Sequence, residues 1–374
     1  MKGTKLAAIL LLLPLLAACG RSDRRIIEEV GFIGLASYDA LPGKDGEKPE
    51  DAGIYVGLSV PLVDPKAKAR REVLGTEARS SKNARQKLAA RTDRMLVSGQ
   101  LRNALFGAKL AKQGIWVQMD TLVRDPSIGQ RVKVTVVDGN AFELLSSDYG
   151  PHVLTEQYLN DLLNKEAEEH VVPLTMLFKF ARDYHDDGID PVAPVLRKAG
   201  DHVEVSGIAL FQDDRLVGKI DLESSPYFGL LRGSFRSGEI SMVLENGDHA
   251  MLNFISNRRR VKIKRVAGSP SDIAVDVSLR IEGQMLEYFG DSKLSDPEQQ
   301  SKLERAMEEA IQSKCEDVIK RMQSKKADAI GLGQYVRNRI GYARWKELEW
   351  REVFPLVDIR VTVDVHVKDY GLLT

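Results

Sequence analysis

The stretch VDIRVTVDVHVK (357–368), close to the C-terminus, alternates without a break between apolar and polar residues. Valine or isoleucine occupies every second position, and charged or hydroxyl side chains occupy the positions between. Because successive side chains of a β-strand point to opposite faces of a sheet, this period of two predicts a long strand with one face in a hydrophobic core. We predict that it belongs to an antiparallel sheet whose other face is wet or covered by polar contacts.

The segment IAVDVSLRIE (273–282) has the same alternation, and the residues between the two strands predict a long helix. Ser295 and Glu298 fit a capping box at its start, and Pro297 is tolerated in a first helical turn. Apolar residues then recur at three- and four-residue spacing, and Cys315 lies among them. Strands, then helices, then a returning strand predict an α+β layout.

Further strands and helices are predicted earlier in the chain. The segment VEVSGIALFQDDRLVGKI (203–220) predicts a β-hairpin with its tight connection at Asp213-Asp214. Strands are predicted within residues 26–35, 54–60 and 132–136, and helices within residues 64–94 and 155–181. The segment DYHDDGIDPVAPVLRKAG (183–200), dense in Pro, Gly and acidic residues, predicts a domain boundary.

The start of the chain has the pattern of a lipoprotein signal peptide. Lys2 and Lys5 form a positive n-region before an apolar run at 6–16, which is too short to span a bilayer of about 30 Å. The sequence LAAC (16–19) resembles the lipobox of bacterial lipoproteins, in which the cysteine thiol is diacylglycerated and the preceding peptide is removed. Cys19 is therefore the predicted lipidation site. The alternative is an ordinary secretory signal with a coincidental cysteine.

These patterns divide the chain into four parts. A signal peptide is predicted at residues 1–18 and a lipidated tether at 19–25. An N-terminal α+β region is predicted at 26–198, formed by one domain or two, and a C-terminal α+β domain at 199–374. The predicted fold class is therefore α+β and multidomain, with mainly antiparallel sheets and flanking helices.

Charge and cysteine content limit the function classes. Lys plus Arg and Asp plus Glu both total 54, so the formal net charge of zero offers no overall field that would gather nucleic acid. No segment after the signal peptide has the unbroken apolar length of a transmembrane helix. With Cys19 used for the anchor, Cys315 has no disulfide partner within the chain. A buried structural thiol is favoured there over a nucleophile.

Catalytic and metal-binding patterns are weak throughout the sequence. The six histidines include no pair at metal-ligand spacing, and no Gly-x-Ser-x-Gly elbow is present. The group Asp183, His185, Asp186 and Asp187 is the best metal candidate, but a solvated linker is the preferred interpretation. Gly331-Leu332-Gly333 lacks a third glycine and a phosphate-loop lysine, and is interpreted as a helix stop and restart. The sequence thus predicts no enzyme, no cofactor and no metal site.

Several exposed groups are candidates for contact with a partner. The basic strand at 258–264 could touch lipid phosphates or an acidic partner, and so could the basic region 64–94 near the predicted anchor, although a solvated face is the default for both. His366 is interpreted as a surface histidine, with a pH-sensitive contact as the alternative. An aromatic group suits a short helix that caps a core, with a protein–protein hot spot as the alternative. Its members are Tyr335, Tyr342, Trp345, Trp350 and Phe354.

Several segments, taken together, are similar to those of one known family. They begin with CGRSDRRIIEEVGFIGLASYD (19–39) and continue with LVSGQLRNALFGAKLAKQGI (96–115), LVRDPSIGQRVKVTVVDGNAFELL (122–145) and GIALFQDDRLVGKID (207–221). The block GLGQYVRNRIGYARWKELEWREVFPLVDIRVTVDVHVKDYGLL (331–373) is the most specific of them. The chain resembles a Ger(x)C spore germination lipoprotein, and the resemblance covers nearly all of the chain after the signal peptide.

The resemblance implies a non-enzymatic lipoprotein on the outer face of the spore inner membrane. It would be the C subunit of a nutrient germinant receptor, assembled with a large A subunit and a transporter-like B subunit. Two hypotheses from other classes remain. A solute-binding lipoprotein of a transporter needs two α/β lobes around a cleft, and a secreted hydrolase needs a nucleophile and a base brought together by folding.

Overall fold

In this computed structural model of the 374-residue chain, the structure describes residues 29–42, 53–62, 70–265 and 273–371. The predicted signal peptide, Cys19 and the predicted tether lie outside the described residues. The strands are β1 Val30–Phe32, β2 Leu35–Ala40, β3 Ile54–Pro61, β4 Arg71–Ala78, β5 Met95–Val97, β6 Asn103–Gly107, β7 Lys133–Val137, β8 Val192–Ala199, β9 His202–Gln212, β10 Arg215–Ile220, β11 Gly238–Val243, β12 His249–Arg265, β13 Ala274–Phe289 and β14 Asp358–Asp369. The helices are α1 Ser81–Ala89, α2 Ala108–Gln113, α3 Trp116–Arg124, α4 Ala141–Ser146, α5 Thr155–Glu168, α6 Leu177–His185, α7 Ser225–Arg232, α8 Pro297–Ser324, α9 Leu332–Ile340, α10 Tyr342–Glu347 and α11 Trp350–Val353.

An eight-stranded sheet has the order β10-β9-β8-β7-β6-β2-β3-β4. Its four middle strands run parallel, and antiparallel neighbours flank them on both sides. Every residue of β6 and β7 is buried, as is usual for parallel strands covered on both faces. The α+β, multidomain class is confirmed. The expectation of antiparallel pairing is wrong for the four middle strands of this sheet, which are parallel. The helices between β6 and β8 supply the crossovers that parallel strands require.

The four-stranded sheet has the order β11-β12-β13-β14 and contains both of the alternating segments. The alternation correctly predicts β13 and β14, but their pairing is parallel, with Val277 opposite Val361 and Ile281 opposite Val365. The prediction of an antiparallel sheet is therefore wrong for this pair, although it holds for β11 with β12 and for β12 with β13. Alternation reports which face of a strand is buried, not its direction, and the chain between the two strands crosses back through α8 before β14 begins.

The 28-residue helix α8 covers the inner face of this sheet. Asp296 rather than Ser295 caps its start, because the Asp296 carboxylate accepts the Glu298 N–H at 2.9 Å. Pro297 occupies the first helical turn, as predicted. Cys315 is fully buried in the core under α8, and burial raises the pKa of its thiol. The interpretation of Cys315 as a buried structural thiol is confirmed.

The predicted limit between residues 198 and 199 falls within β8, which pairs with β9 across the turn at Gly200. The eight-stranded sheet therefore continues to residue 220, and the division into 26–198 and 199–374 stays a prediction. The predicted hairpin at 203–220 is confirmed as β9 and β10. The charged region 64–94 contains β4 as well as α1, and the helix predicted at 155–181 is interrupted between α5 and α6.

The core is continuous between the two sheets. One hydrophobic cluster joins α8 and the four-stranded sheet to one face of the eight-stranded sheet, and a second cluster fills the opposite face beneath α1, α2 and α3. Burial at this scale is the main favourable contribution to folding. Among the described residues, no helix combines the length and the apolar character that crossing a bilayer requires.

Candidate functional site

A cleft of about 560 Å³ lies where the segment after α6 meets the segment that runs from the end of α8 through α11, and we call it the junction cleft. The first segment contributes Asp186, Asp187 and Asp190, and the second contributes Asp328 and Trp350. Part of the second segment belongs to the block 331–373 that carries the most specific resemblance. The junction cleft therefore collects acidic residues from two distant parts of the chain.

Asp328 is a buried centre of hydrogen bonding in the junction cleft. Its carboxylate accepts the Leu332 and Gly333 N–H groups at 3.0 and 2.7 Å, and Trp350 Nε1–H at 3.0 Å. The two N–H groups belong to the first turn of α9, where a helix has no acceptors of its own. Burial raises the pKa of Asp328, and these hydrogen bonds oppose that shift. The side chain thus holds the start of α9 and the Trp350 indole in place.

Asp190 joins the two segments through hydrogen bonds to the main chain. Its N–H donates to the Asp328 carbonyl at 2.9 Å, and the Asp328 N–H donates to the Asp190 carboxylate at 2.7 Å. The other carboxylate oxygen accepts the Asp213 N–H at 3.3 Å, and Arg351 binds the Asp213 side chain at 2.5 Å. Burial and the nearby Asp328 carboxylate raise the pKa of Asp190 to about 7. Asp190 therefore titrates near neutrality.

Two glycines allow the two segments to touch through their main chains. The Gly188 carbonyl accepts the Gln334 N–H at 3.1 Å. A Cβ on Gly188 would lie 2.7 Å from the Gln334 nitrogen, and a Cβ on Gly333 would lie 2.5 Å from Trp350 Nε1. Side chains do not fit at such distances, so both positions require glycine. Gly331, with φ of 72°, immediately precedes α9, which confirms the predicted restart of a helix there.

Two acids of the metal candidate form ion pairs. Arg337 of α9 binds Asp186 at 2.8 Å and also binds Asp187. Burial opposes ionisation of Asp186, but hydrogen bonds from Arg337, Gly188 and Gln334 outweigh it and lower the pKa. The interpretation as a solvated linker agrees with the 48% exposure of the Asp187 side chain, but it does not predict that both carboxylates bind an arginine about 150 positions away. Among the described residues, no group of three or more His, Cys, Asp or Glu could hold a metal ion.

Asp183, another acid of that candidate, pairs with the buried Arg232 of α7 at 2.7 Å. Arg232 also donates to the Ala329 carbonyl at 2.5 Å, and Arg259 of β12 donates to the Ile330 carbonyl at 3.0 Å. Burial lowers the pKa of both arginines, and the Asp183 carboxylate counteracts this for Arg232. Sequence reasoning missed both roles. Arg259 lies in a run of basic residues, and nothing in that run distinguishes the buried arginine from its exposed neighbours.

The aromatic group predicted near the C-terminus divides into two sets. Trp345, Trp350 and Phe354 are buried, with ring centroids 5.5 and 5.8 Å apart along the series. Tyr335 and Tyr342 are 40% and 59% exposed. The prediction that the group caps a core is confirmed for the first three residues, and a protein–protein contact stays a prediction for the two tyrosines.

The remaining candidates lie on the surface of the four-stranded sheet. Arg258, Arg260 and Lys262 are exposed at alternate positions of β12. His366 is exposed on β14 with Nδ1 3.6 Å from a Glu304 oxygen, so its interpretation as a surface histidine is confirmed. Cys19, the one predicted site residue, lies outside the described residues.

The hydrogen bonding around the junction cleft suits a rigid connection. Asp328 and Asp190 bind main-chain N–H groups, Asp186 and Asp187 bind Arg337, and Lys326 binds Glu352. The buried group among them, Asp328, helps to hold a unique arrangement of the chain, whereas the Lys326–Glu352 pair is exposed and contributes little. The geometry therefore supports a structural connection between the eight-stranded sheet and α9 more directly than it supports chemistry on a substrate.

Comparisons with known proteins place the chain in one class. A family model described as "Spore germination protein N-terminal domain" matches residues 23–198, and one described as "Spore germination B3/ GerAC like, C-terminal" matches residues 206–371. Spore germination protein GerQC of Bacillus cereus is 25% identical, over 94% of this chain and 95% of GerQC. YfkR of Bacillus subtilis (strain 168), whose name also refers to spore germination, is 23% identical over 100% of this chain and 98% of YfkR.

The crystal structure of the GerBC protein has the same fold. The TM-score is 0.58 at 14% sequence identity, covering 89% of this chain and 97% of GerBC. The fold and the two matched regions thus define a multidomain α+β protein of spore germination. The chain belongs to the Ger(x)C family of spore germination proteins, as the resemblance predicted. The names of these relatives refer to germination and mention no enzymatic activity.

Proposed function

We propose that the protein is the lipid-anchored C subunit of a spore nutrient germinant receptor. In this proposal Cys19 carries the lipid, the body lies on the outer face of the spore inner membrane, and the protein acts by assembling with the A and B membrane subunits. The observation that carries the proposal is the presence of a lipobox-like LAAC (16–19) in a member of the Ger(x)C family. Two acyl chains on one cysteine are enough for stable anchoring.

The junction cleft supports a role in assembly without catalysis. Surfaces that meet two different partners must keep a fixed relative position, and contacts such as Asp190 to Asp328 and Arg337 to Asp186 supply that rigidity. Small interfaces between domains would otherwise permit relative motion. The protein is accordingly proposed to be a non-enzymatic subunit that needs no cofactor.

The solute-binding alternative has one observation in its favour, which is the size of the junction cleft. A volume of about 560 Å³ lies within the range of small-molecule sites. However, a ligand that used Asp328 or Asp190 would have to displace the main-chain N–H groups that these carboxylates already accept. The receptor subunit is therefore the better supported proposal. Calorimetry with amino acids and sugars tests the alternative, and saturable binding in the junction cleft would favour it.

The anchor is tested with the two cysteines of the chain. Cys19→Ala should abolish incorporation of a labelled fatty acid and release the protein from spore membranes, because the thiol that forms the thioether is gone. Cys315→Ala is the matched control, since it removes the buried thiol and should leave labelling intact. Labelling that persists in Cys19→Ala would overturn the assignment of Cys19.

The receptor role is tested in spores that lack the protein and contain no paralogue. We expect such spores to lose germination with at least one nutrient and to recover it when the unaltered gene is restored. A detergent-solubilised pull-down should also recover the A and B subunits with the protein. Normal germination on every nutrient tested would rule out the receptor role.

A further inference from the structure

The surface beside the first described residues is strongly basic. Residues 70–94 contain eight Lys or Arg and three Asp or Glu, in a chain whose formal net charge is zero. Five of these basic residues lie on α1 or between α1 and β5, and we call them the entry patch. They are Lys82, Arg85, Lys87, Arg91 and Arg94. The charge of the protein is thus unevenly distributed, with an excess of positive charge where the chain enters the fold.

Contacts with β1 place the entry patch next to the incoming chain. β1 and β5 pair in parallel register with Gly31 opposite Leu96, and Arg85 donates to the Leu96 carbonyl at 2.9 Å. A Cβ on Gly31 would lie 3.3 Å from the Arg94 Cβ. Because the two strands are parallel, residue 29 enters beside Arg94 at the same end of the pair. Arg85 and Arg94 of the entry patch therefore lie beside β1, the first strand of the described residues.

The local hydrogen bonds of the entry patch leave much of its charge uncancelled. Lys87 and Arg91 are exposed and donate to the carbonyls of Glu77 and Gly75, which carry no net charge. Lys82, which is 66% exposed, and Arg85 lie 3.5 and 3.6 Å from the same Asp125 oxygen, so one carboxylate is shared by two cations and cancels the charge of only one of them. An exposed cluster of cations has long-range attraction for a surface of opposite charge.

The length of the tether keeps the entry patch near a membrane. Residue 29 lies ten residue steps after Cys19, which corresponds to at most about 36 Å of fully extended chain. The residues between Cys19 and β1 include three arginines and three acids, so this stretch has no net charge and the positive charge is that of the entry patch. A lipid on Cys19 would therefore hold the entry patch close enough to be drawn to the bilayer whenever the chain is not fully extended.

We propose that the entry patch binds the anionic headgroups of the membrane and orients the anchored body on it. This inference rests on the proposed anchor at Cys19 and names a second contact between the protein and the same membrane. A single lipid anchor leaves the body free to tilt, whereas a lipid anchor with an adjacent basic surface defines which side faces the bilayer. Juxtamembrane lysines and arginines bind anionic leaflets in this way, and the attraction weakens as salt is added.

A second basic surface provides a matched control. Arg258, Arg260 and Lys262 are exposed at alternate positions of β12, in the other sheet. Replacing all three with Glu changes the net charge by the same amount as replacing Lys82, Lys87 and Arg91 with Glu. A comparison of the two triple variants therefore shows whether vesicle binding depends on the location of the positive charges or only on the net charge.

The test uses the mature chain, residues 19–374, with Cys19→Ser, so that no acyl chain contributes to binding. Cosedimentation is measured with vesicles of phosphatidylcholine alone and with vesicles that contain about a third phosphatidylglycerol. We expect binding to the anionic vesicles only, and release at high salt. Lys82→Glu, Lys87→Glu and Arg91→Glu together should weaken binding at least about tenfold. The β12 triple variant should stay within about twofold of the unsubstituted chain.

Thermal unfolding checks that both triple variants remain folded. Equal loss in the two variants, or no binding of the unsubstituted chain to anionic vesicles, would overturn the proposal. If the β12 variant loses more binding than the entry-patch variant, the membrane contact lies on β12 and the proposal is also overturned. These results are independent of fatty-acid labelling at Cys19, because the chain tested carries no lipid. Failure of the anchor and failure of the entry patch can therefore be told apart.

Discussion

Charged residues are dense both in the junction cleft and on the outer face of the four-stranded sheet, but the two regions hold them in opposite ways. In the junction cleft, Asp328 is 2% exposed and binds two main-chain N–H groups and an indole. On the sheet face, Arg280 and Asp364 are 3.4 Å apart with side chains 59% and 64% exposed. Solvent screens exposed pairs, whereas a buried group that loses its partners is not rehydrated. Burial, not charge density, should therefore decide which charges hold this fold together.

The largest effect is expected from Asp328→Ala. The substitution leaves the Leu332 and Gly333 N–H groups and the Trp350 Nε1–H without their acceptor in a buried place. Each orphaned donor costs about 1–3 kcal/mol, so the free energy of unfolding should fall by about 4 kcal/mol. Urea unfolding followed by tryptophan fluorescence measures this, and Trp350 lies at the site of the change.

Asp328→Asn is the graded companion to that substitution. The amide of the variant keeps one acceptor oxygen, so Asp328→Asn should lose less stability than Asp328→Ala. It should still lose some, because its NH₂ group faces a donor. A loss below about 1 kcal/mol for Asp328→Ala would contradict the comparison, because it would mean that water reaches the orphaned groups.

The sequence predicts little of the junction cleft, for a physical reason. Asp190 and Asp328 are 138 positions apart, and Asp186 and Arg337 are 151 positions apart. Composition predicts that residues 183–200 form a polar loop. The local sequence is the same whether a carboxylate of that loop contacts water or a distant arginine. The paired glycines at 188 and 333 are equally ambiguous, because turns and close approach of two chains both require glycine.

A smaller effect is expected from the titration of Asp190. Its pKa is raised to about 7, whereas an aspartate in the unfolded chain titrates near pH 4. Between those values the native state binds a proton that the unfolded state has released. The free energy of unfolding should therefore be greatest at low pH and should fall as the pH rises toward 7, by at most about 1.4 kcal/mol per pH unit from this group.

Asp190→Asn isolates this contribution, because the amide does not titrate. The difference in stability between the two proteins, measured by urea unfolding at pH 5, 6, 7 and 8, should shift in favour of Asp190→Asn as the pH rises. Asp328 also has a raised pKa, but it is present in both proteins. Subtracting one stability from the other therefore removes most of the pH dependence that Asp328 contributes. A difference that does not change with pH would show that Asp190 is ionised throughout.

The sheet face, by contrast, could be predicted well from the sequence. Alternation located β13 and β14, and helical spacing placed Cys315 in the core. The direction of β14 could not be predicted, because period two is the same for parallel and antiparallel strands. The strands β6 and β7 have both faces buried, and the alternation VKVTV (132–136) at β7 does not reveal this, because its Lys133 and Thr135 are buried as well.

The smallest effect, and the closest comparison, is expected from two adjacent residues of β14. Asp364→Ala removes the exposed pair with Arg280 and should change the free energy of unfolding by less than about 0.5 kcal/mol. Val365→Ala, at the next position, empties a core site that is 3% exposed and should cost about 2 kcal/mol. Urea unfolding of both variants tests the comparison within a single strand. A large loss for Asp364→Ala would contradict the comparison, because it would mean that the charged face of the sheet is shielded from solvent in the native protein.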